Sequence, residues 1–236
     1  VKSLMKIYFD GCSWTYGQEL EHREEERYSK LICNNLGARE YNFAKEGGSN
    51  DRIIRKLMVE NNIEEYDLAI IQMTFPARTE YLRRVWSGGW KKDWIRVNPK
   101  YSYTAWLHRD SEKEKMRRSI EKKWGQQVFP KSMMPKLDDQ KFDHYTKADG
   151  HAKFWRHYYT SVANRKYFEV KENIHLQTIR NHCKAHNVPL VVCTINNYSN
   201  LNFDYLMHVE MKYRAERGHP NKEGHRLIAK AILDKI

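Results

Sequence analysis

Short apolar runs alternate with amphipathic segments at both ends of the chain. Four short segments bounded by turn residues are predicted strands, namely Leu4 to Phe9, Glu40 to Ala44, Asp67 to Met73 and Val188 to Ile195. Helical spacing predicts four helices. One covers Glu24 to Leu36, one begins after a cap at Ser49 or Asn50, one ends at about His186, and one begins after a cap at Asn221. Strands that alternate with helices predict a three-layer α/β/α fold with a doubly wound, mostly parallel sheet of the flavodoxin-like kind.

The regular pattern stops between Phe75 and about Thr160. Six of the seven tryptophans lie in this region, interleaved with arginine and lysine. We expect one domain, residues 1–236, with an aromatic, basic insertion or lid at 76–160 after the third strand. The insertion could be a small satellite core, a solvated basic face, or a platform that stacks sugars or bases.

The net charge and the spacing of the cysteines indicate which partners and which cellular compartment to expect. The formal net charge is +12, which attracts anions such as nucleic acid or an anionic polymer. The four cysteines have no metal-binding spacing, so we expect reduced thiols and a cytoplasmic protein. No run approaches the roughly 20 apolar residues of a membrane span, and the N-terminal segment does not resemble a signal peptide. We therefore expect no membrane partner.

Two polar residues suggest nucleophilic catalysis. Ser13 lies on the turn after the first predicted strand, and His219 lies just before the last predicted helix. A serine hydroxyl becomes nucleophilic when an imidazole removes its proton. Each residue alone could equally be a turn hydroxyl or a surface histidine. Cys12 is a rival nucleophile, although its neighbouring position on a tight turn should direct it into the core.

Three sequence blocks resemble those of the SGNH (GDSL-type) hydrolase family, and more closely the form common in tailed-phage genomes. The first is Gly11-Cys12-Ser13-Trp14-Thr15-Tyr16-Gly17, and the second is Asn42-Phe43-Ala44-Lys45-Glu46-Gly47-Gly48-Ser49-Asn50. The last is Glu216-Arg217-Gly218-His219, where the family has aspartate at the first position. The third family block, Gly-x-Asn-Asp, is replaced by Gln72-Met73-Thr74-Phe75.

The resemblance implies a role for each matched position. Ser13 would be the nucleophile, His219 the base and Glu216 the residue that orients it. The N–H groups of Ser13 and Gly47 would form the oxyanion hole, and Thr74 falls where the family has an asparagine donor. Either Gln72 or another group completes the hole, or turnover is slow, because losing one donor costs about 10²–10³ in rate. Candidates for substrate binding in or beside the blocks are Gly48, Asn50, Arg78 and Trp14.

The resemblance implies an esterase or deacylase that acts on an ester of a polar or carbohydrate-like carrier, with no cofactor. One alternative is a catalytically weak or inactive fold that binds nucleic acid or another anionic polymer. Another is an O-acyltransferase that uses the same serine. A metal site is not expected, since the histidines lack a ligand set. The resemblance is also compatible with a virus-encoded protein in the host cytoplasm.

Overall fold

The computed structural model describes residues 3–86, 90–97, 158, 165–196, 199–216 and 218–236. The chain divides into two compact units, Val1–Glu80 with Glu172–Ile236, and Tyr81–Lys171. Most of the predicted insertion at 76–160 lies outside the described residues, and the single-domain organisation with a lid stays a prediction. In the part that the structure describes, no helix is long and apolar enough to cross a membrane.

The four predicted strands are present as β1 (Lys6–Asp10), β2 (Arg39–Asn42), β3 (Leu68–Met73) and β6 (Leu190–Thr194). Three further strands were not predicted, namely β4 (Thr79–Trp86), β5 (Trp90–Val97) and β7 (Tyr205–Leu206). The α-helices are α1 (Ser13–Tyr16), α2 (Arg23–Glu26), α3 (Tyr28–Leu36), α4 (Asn50–Arg55), α5 (Arg165–Ala185) and α6 (Lys222–Leu233). A π-helical segment, Lys56–Glu60, continues α4.

A five-stranded sheet has the order β2-β1-β3-β6-β7, and every pair in it is parallel. The strands β4 and β5 form a separate two-stranded sheet. The chain winds outward from β1 in both directions, which confirms the doubly wound parallel sheet. Ligands of such sheets bind beyond the carboxyl ends of the strands, near the place where the winding reverses. Here that place lies between β1 and β3.

Alternate strand residues face two separate apolar clusters, as the two-residue period of a strand requires. One cluster joins Phe9 and Ile70 to Ile32 of α3 and Ile228 of α6. The other cluster joins strand residues such as Tyr8 and Ile71 to side chains of α4 and α5. The sheet therefore lies between two helical layers, which confirms the three-layer α/β/α fold. All four cysteines are buried and free.

The predicted helix caps are present, but one predicted helix is divided. Gly37 ends α3 in the left-handed conformation, with φ of 59°. Ser49 and Asn221 accept hydrogen bonds from Arg52 N at 3.2 Å and Gly224 N at 3.0 Å. The helix predicted over Glu24 to Leu36 breaks at Arg27, which is extended at ψ 145° and pairs with Glu40 at 2.8 Å.

The Asp51 carboxylate on α4 contacts a residue just before the second unit and a residue just after it. Asp51 Oδ2 accepts a hydrogen bond from Thr79 Oγ1 at 2.5 Å, and Asp51 Oδ1 lies 3.0 Å from His175 Nε2. Next to it, Arg55 of α4 pairs with Glu80 at 2.6 Å. The first unit therefore fixes the two points between which residues 81–171 are inserted.

Candidate active site

Ser13 begins α1 immediately after the turn that follows β1. Gln72, at the end of β3, holds this turn, since its Oε1 accepts from Cys12 N and from Thr15 Oγ1, each at 3.0 Å. A Cβ atom added to Gly11 would lie 2.2 Å from Thr15 Oγ1, so only glycine fits there. The close packing at Gly11 and the hydrogen bonds to Gln72 of β3 thus fix the backbone that carries Ser13.

The Ser13 hydroxyl is nearly buried, with 5% of the residue exposed, and it donates to Cys12 Sγ at 3.8 Å. Among the described residues, no hydrogen bond joins it to His219. The hydroxyl must therefore turn away from the thiol before it can transfer a proton to an imidazole. Catalytic hydrogen bonds are often long or unformed without substrate.

The second block lies against the first. A Cβ on Gly48 would be 2.9 Å from Gly11 O and 3.7 Å from Cys12 Cα, so the missing side chain allows a close approach. Gly48 N donates to Lys45 O at 2.9 Å, which leaves this N–H unavailable to a substrate. Gly47 has φ of 64° and is partly exposed. Within the described chain, neither Gly47 N–H nor Ser13 N–H has an acceptor, so both could bind an oxyanion.

The altered third block is part of this network. Asn50, a predicted substrate-binding residue, is fully buried, and its amide bonds to the backbone of Thr74 instead, at 3.0 Å to the carbonyl and 2.8 Å from the N–H. Arg78 donates to Thr74 Oγ1 at 2.8 Å. The Thr74 hydroxyl keeps one proton to donate, and a hydrogen bond from it is among the causes that lower the pKa of the Cys12 thiol. Gln72 accepts from the first block through its oxygen and donates to Met73 O at 2.8 Å, and its contribution to an oxyanion hole stays a prediction.

The lowered pKa of the Cys12 thiol indicates a positive electrostatic potential beside Ser13. Burial by itself raises the pKa of the Cys12 thiol, but the positive charge of Arg78 and nearby donors outweigh burial, so the pKa lies below 9.0. Groups that stabilise a thiolate here would also stabilise negative charge on a neighbouring oxygen. Cys12 is itself fully buried, which disfavours it as the nucleophile.

His219 is held by a glutamate that the sequence analysis did not identify. Its Nδ1 lies 2.5 Å from Glu19 Oε2, and its backbone N–H donates to the same oxygen at 3.3 Å. Glu216, predicted to orient His219, is exposed. Its turn is closed by Ala215 N to His219 O at 2.7 Å and by Gly218 at φ of 88°. The carboxylate at the imidazole therefore comes from the loop after α1.

Further contacts join the segment that follows Ser13 to the segment around His219. Arg214 lies over the ring of Trp14 at 5.8 Å, and Trp14, predicted to bind substrate, packs against the core on the α3 side of the sheet. Lys222 pairs with Glu26 at 2.7 Å. Tyr28 N donates to the buried His225 Nδ1 at 3.1 Å. Two segments about 200 residues apart are thus packed together.

A pocket of about 590 Å³ is lined by residues 16–25, which include Glu19, and by Glu46, while Ser13, Gly47 and His219 are not part of its lining. Its lining carries five carboxylates, those of Glu19, Glu21, Glu24, Glu25 and Glu46. Glu46 precedes the candidate donor Gly47 and accepts from Gln18 Nε2 at 2.5 Å. The lining of this pocket thus carries an excess of negative charge, although the whole chain has a positive net charge.

Ser13, Gly47, Gly48 and Thr74 were thus predicted from local blocks, and the structure brings their loops together at the carboxyl ends of β1 and β3. His219 joins the same loop system through Glu19. The pairing of Glu19 leaves no local signal, because it depends on a residue 200 positions away. Its only individual mark is a positive φ of 72°, which the sequence does not show.

Comparison with protein-family models finds no match, and comparison with curated proteins finds none. Solved structures similar to this chain include a psychrotrophic esterase from Pseudoalteromonas, with TM-score 0.46, 11% identity and coverage of 98% of this chain and 95% of that one. A structure from Desulfitobacterium hafniense described as a G-D-S-L family lipolytic protein has TM-score 0.40, 11% identity and coverage of 98% and 99%.

An acetylxylan esterase from Geobacillus stearothermophilus has TM-score 0.38, 11% identity and coverage of 100% and 95%. Two of these three structures are thus described as esterases and one as a lipolytic protein of the G-D-S-L family. At such identity the likeness concerns the fold, and the evidence for the fold of this chain is its own parallel sheet. The closer resemblance to the tailed-phage form stays a prediction from the sequence blocks.

Proposed function

We propose that this protein is a serine hydrolase of the SGNH type that removes an acyl group from an ester. The observation that carries the proposal is the attachment of His219, through Nδ1, to the loop that follows Ser13, at 2.5 Å from Glu19. In the described chain, Nε2 of His219 has no hydrogen-bond partner. An imidazole held by one nitrogen, with the other available, is suited to take a serine proton.

The reaction proceeds in two acyl-transfer steps. His219 Nε2 takes the proton of Ser13 Oγ while Oγ attacks the ester carbonyl carbon. The N–H groups of Ser13 and Gly47, with the Thr74 hydroxyl, bind the negative oxygen. Collapse of this intermediate expels the alcohol, which receives the proton from His219. A water then attacks the acyl-enzyme while His219 takes its proton. The carboxylic acid leaves, and Ser13 Oγ regains a proton from His219.

The acidic pocket supports a neutral, hydroxyl-rich or cationic carrier for the acyl group. Carboxylates accept hydrogen bonds from hydroxyls and repel anions. Five of them line the pocket, among them Glu19, which contacts His219, and Glu46, which precedes Gly47. An acetylated neutral sugar should therefore be hydrolysed faster than a similar ester whose carrier bears a phosphate or carboxylate group.

Hydrolysis of p-nitrophenyl acetate tests the proposal directly. We expect Ser13→Ala and His219→Ala to lower kcat by about 10³-fold or more, because neither residue alone can activate an acyl acceptor. A fluorophosphonate should label Ser13 in the wild-type protein. Cys12→Ala is the matched control, since it removes the adjacent nucleophile and should leave turnover and labelling in place. Equal rates for wild type and Ser13→Ala would refute the mechanism.

The distribution of charge favours a second activity, binding of an anionic polymer by another part of the chain. Residues 81–171 hold 22 of the 42 Lys and Arg residues and 10 of the 30 Asp and Glu residues, so they carry the whole excess of +12. The remaining sequence has no net charge. Retention on heparin should fall steeply as salt increases and should be unchanged in Ser13→Ala. Absence of retention at low salt would exclude this activity.

A further inference from the structure

We propose that Glu19 is the positioning carboxylate of His219, in place of the Glu216 that the sequence block suggests. The proposal rests on the proposed function, since a positioning residue matters only if His219 acts on Ser13. It assigns the third member of the site to the loop after α1. The residue six positions after the nucleophile would then orient the base.

Two contacts to one oxygen define the orientation of His219. Glu19 Oε2 lies 2.5 Å from Nδ1 and 3.3 Å from the backbone N of His219. A carboxylate only accepts hydrogen bonds, so Nδ1 carries a proton and donates it. The neutral ring therefore presents Nε2 as its acceptor, which is the form that a general base requires.

The backbone of Glu19 adopts a conformation that glutamate rarely takes. Its φ is 72°, and it follows the left-handed Gly17 that ends α1. Such a conformation is unfavourable for a residue with a side chain and persists where the surroundings hold it. Here the two contacts of Glu19 with His219 help to hold this conformation.

Partial burial strengthens the pair. The side chains of His219 and Glu19 are 18% and 14% exposed. An ion pair that forms when the ring gains a proton is stronger in such a site than in water. Glu216 is exposed, so its charge is screened by solvent. Of the two glutamates, only Glu19 contacts the ring.

The test compares Glu19→Gln with Glu216→Gln in the full chain. We expect Glu19→Gln to lower kcat for p-nitrophenyl acetate by about 10²- to 10⁴-fold, with KM changed by less than about 3-fold, because a carboxamide cannot enforce the tautomer or stabilise the imidazolium. Glu216→Gln should behave like wild type. Glu19→Asp should recover part of the lost kcat, since it restores the charge on a shorter side chain.

Proton NMR adds a readout that needs no turnover. A strongly hydrogen-bonded imidazole N–H should give a downfield resonance that disappears in His219→Ala. We expect Glu19→Gln to shift or lose it, and Glu216→Gln to keep it, while circular dichroism shows that both variants are folded. Wild-type kcat and an unchanged resonance in Glu19→Gln would overturn this proposal alone. Absence of wild-type turnover and of Ser13 labelling would overturn the proposed function, and this inference with it.

Discussion

At the residue scale, two polar side chains at the end of β3 have different roles. Gln72 holds the turn around Ser13 through its carbonyl oxygen, and its amino group donates to the backbone carbonyl of Met73. Thr74 accepts from Arg78 and keeps one proton to donate. Where the resemblance predicts an asparagine donor, the chain thus has a hydroxyl that accepts a hydrogen bond from a cation.

Thr74→Val should lower kcat by up to about 10²-fold while KM stays within about 2-fold, because a donor to the oxyanion acts mainly in the transition state. Steady-state hydrolysis of p-nitrophenyl acetate measures both constants. Thr194→Val is the matched control, since Thr194 is also a buried threonine at a strand end but its hydroxyl accepts from Asn196 N. A wild-type kcat in Thr74→Val would remove Thr74 from the oxyanion hole.

Residues that act within their own block could be predicted from the sequence, and residues that act across the chain could not. Ser13, Gly47 and Gly48 lie in short patterns whose turn chemistry is local. Glu19 meets His219 only because β1 and α6 pack near one another in the fold. The substrate role expected for Asn50 stays a prediction, and the bonds of its amide to Thr74, 24 positions away, have no local signal either.

At the scale of secondary structure, a buried ion pair ties β1 to α4 beneath the site. Asp10 is fully buried, and its Oδ1 lies 2.7 Å from Arg52 Nη1 and accepts from Gly11 N at 2.7 Å. Burial raises the pKa of the Asp10 carboxyl to about 6, although Arg52 acts in the opposite direction. The strand that presents Ser13 and the helix after Gly47 are thus linked by charge.

Arg52→Met should destabilise the fold by about 3–5 kcal/mol at pH 7, because it leaves a buried carboxylate without its partner. The loss should be smaller at pH 5, where Asp10 can take up a proton. Urea unfolding at the two pH values measures both effects. Arg226→Met, which removes an exposed pair with Glu223, should change stability by no more than about 0.5 kcal/mol. Equal losses at both pH values would contradict the assignment to Asp10.

Four strands of the sheet and most caps follow from local patterns, but element boundaries respond to tertiary contacts. The apolar spacing of Glu24 to Leu36 fits one helix, and nothing local marks Arg27 as a break. The structure shows that Arg27 pairs with Glu40 through two hydrogen bonds, at 2.9 Å and 2.8 Å. This pairing with β2 favours an extended residue where helix propensity alone would continue the helix.

At the scale of the whole molecule, stability should respond to pH through the buried His225. Burial and the nearby His219 lower the pKa of His225 to about 4 from 6.5. The unfolded chain therefore binds this proton more tightly, and the contribution to stability is lost as pH falls from 6.5 to 4. The shift corresponds to about 3 kcal/mol.

The comparison with His225→Asn isolates this effect, because the raised pKa of Asp10 has the opposite pH dependence in both proteins. The free energy of unfolding of wild type minus that of the variant should be constant above pH 7 and should fall by about 3 kcal/mol by pH 4. Denaturant unfolding across this range measures it. A difference that does not change with pH would show that His225 is not the responsible group.

The separation of charge between the two units leads to a prediction about the isolated first unit. Replacement of residues 81–171 by a short glycine and serine linker should leave a chain that unfolds cooperatively, because the sheet, both apolar clusters and the contacts of Asp51 belong to the remainder. This variant should lose retention on heparin, since it loses the whole net charge. Circular dichroism with thermal unfolding, and elution from heparin, measure the two outcomes. A variant that does not fold would show that the first unit depends on the second.

The carboxylate of Asp51 also bears on how such a protein can diversify in evolution. Because Thr79 and His175 both contact one side chain of α4, the two chain positions that flank the insertion lie close together. An insertion whose ends are close can change in length or sequence without displacing the domain that carries it. The loops that follow β1 and β3 can therefore be conserved while the inserted residues change.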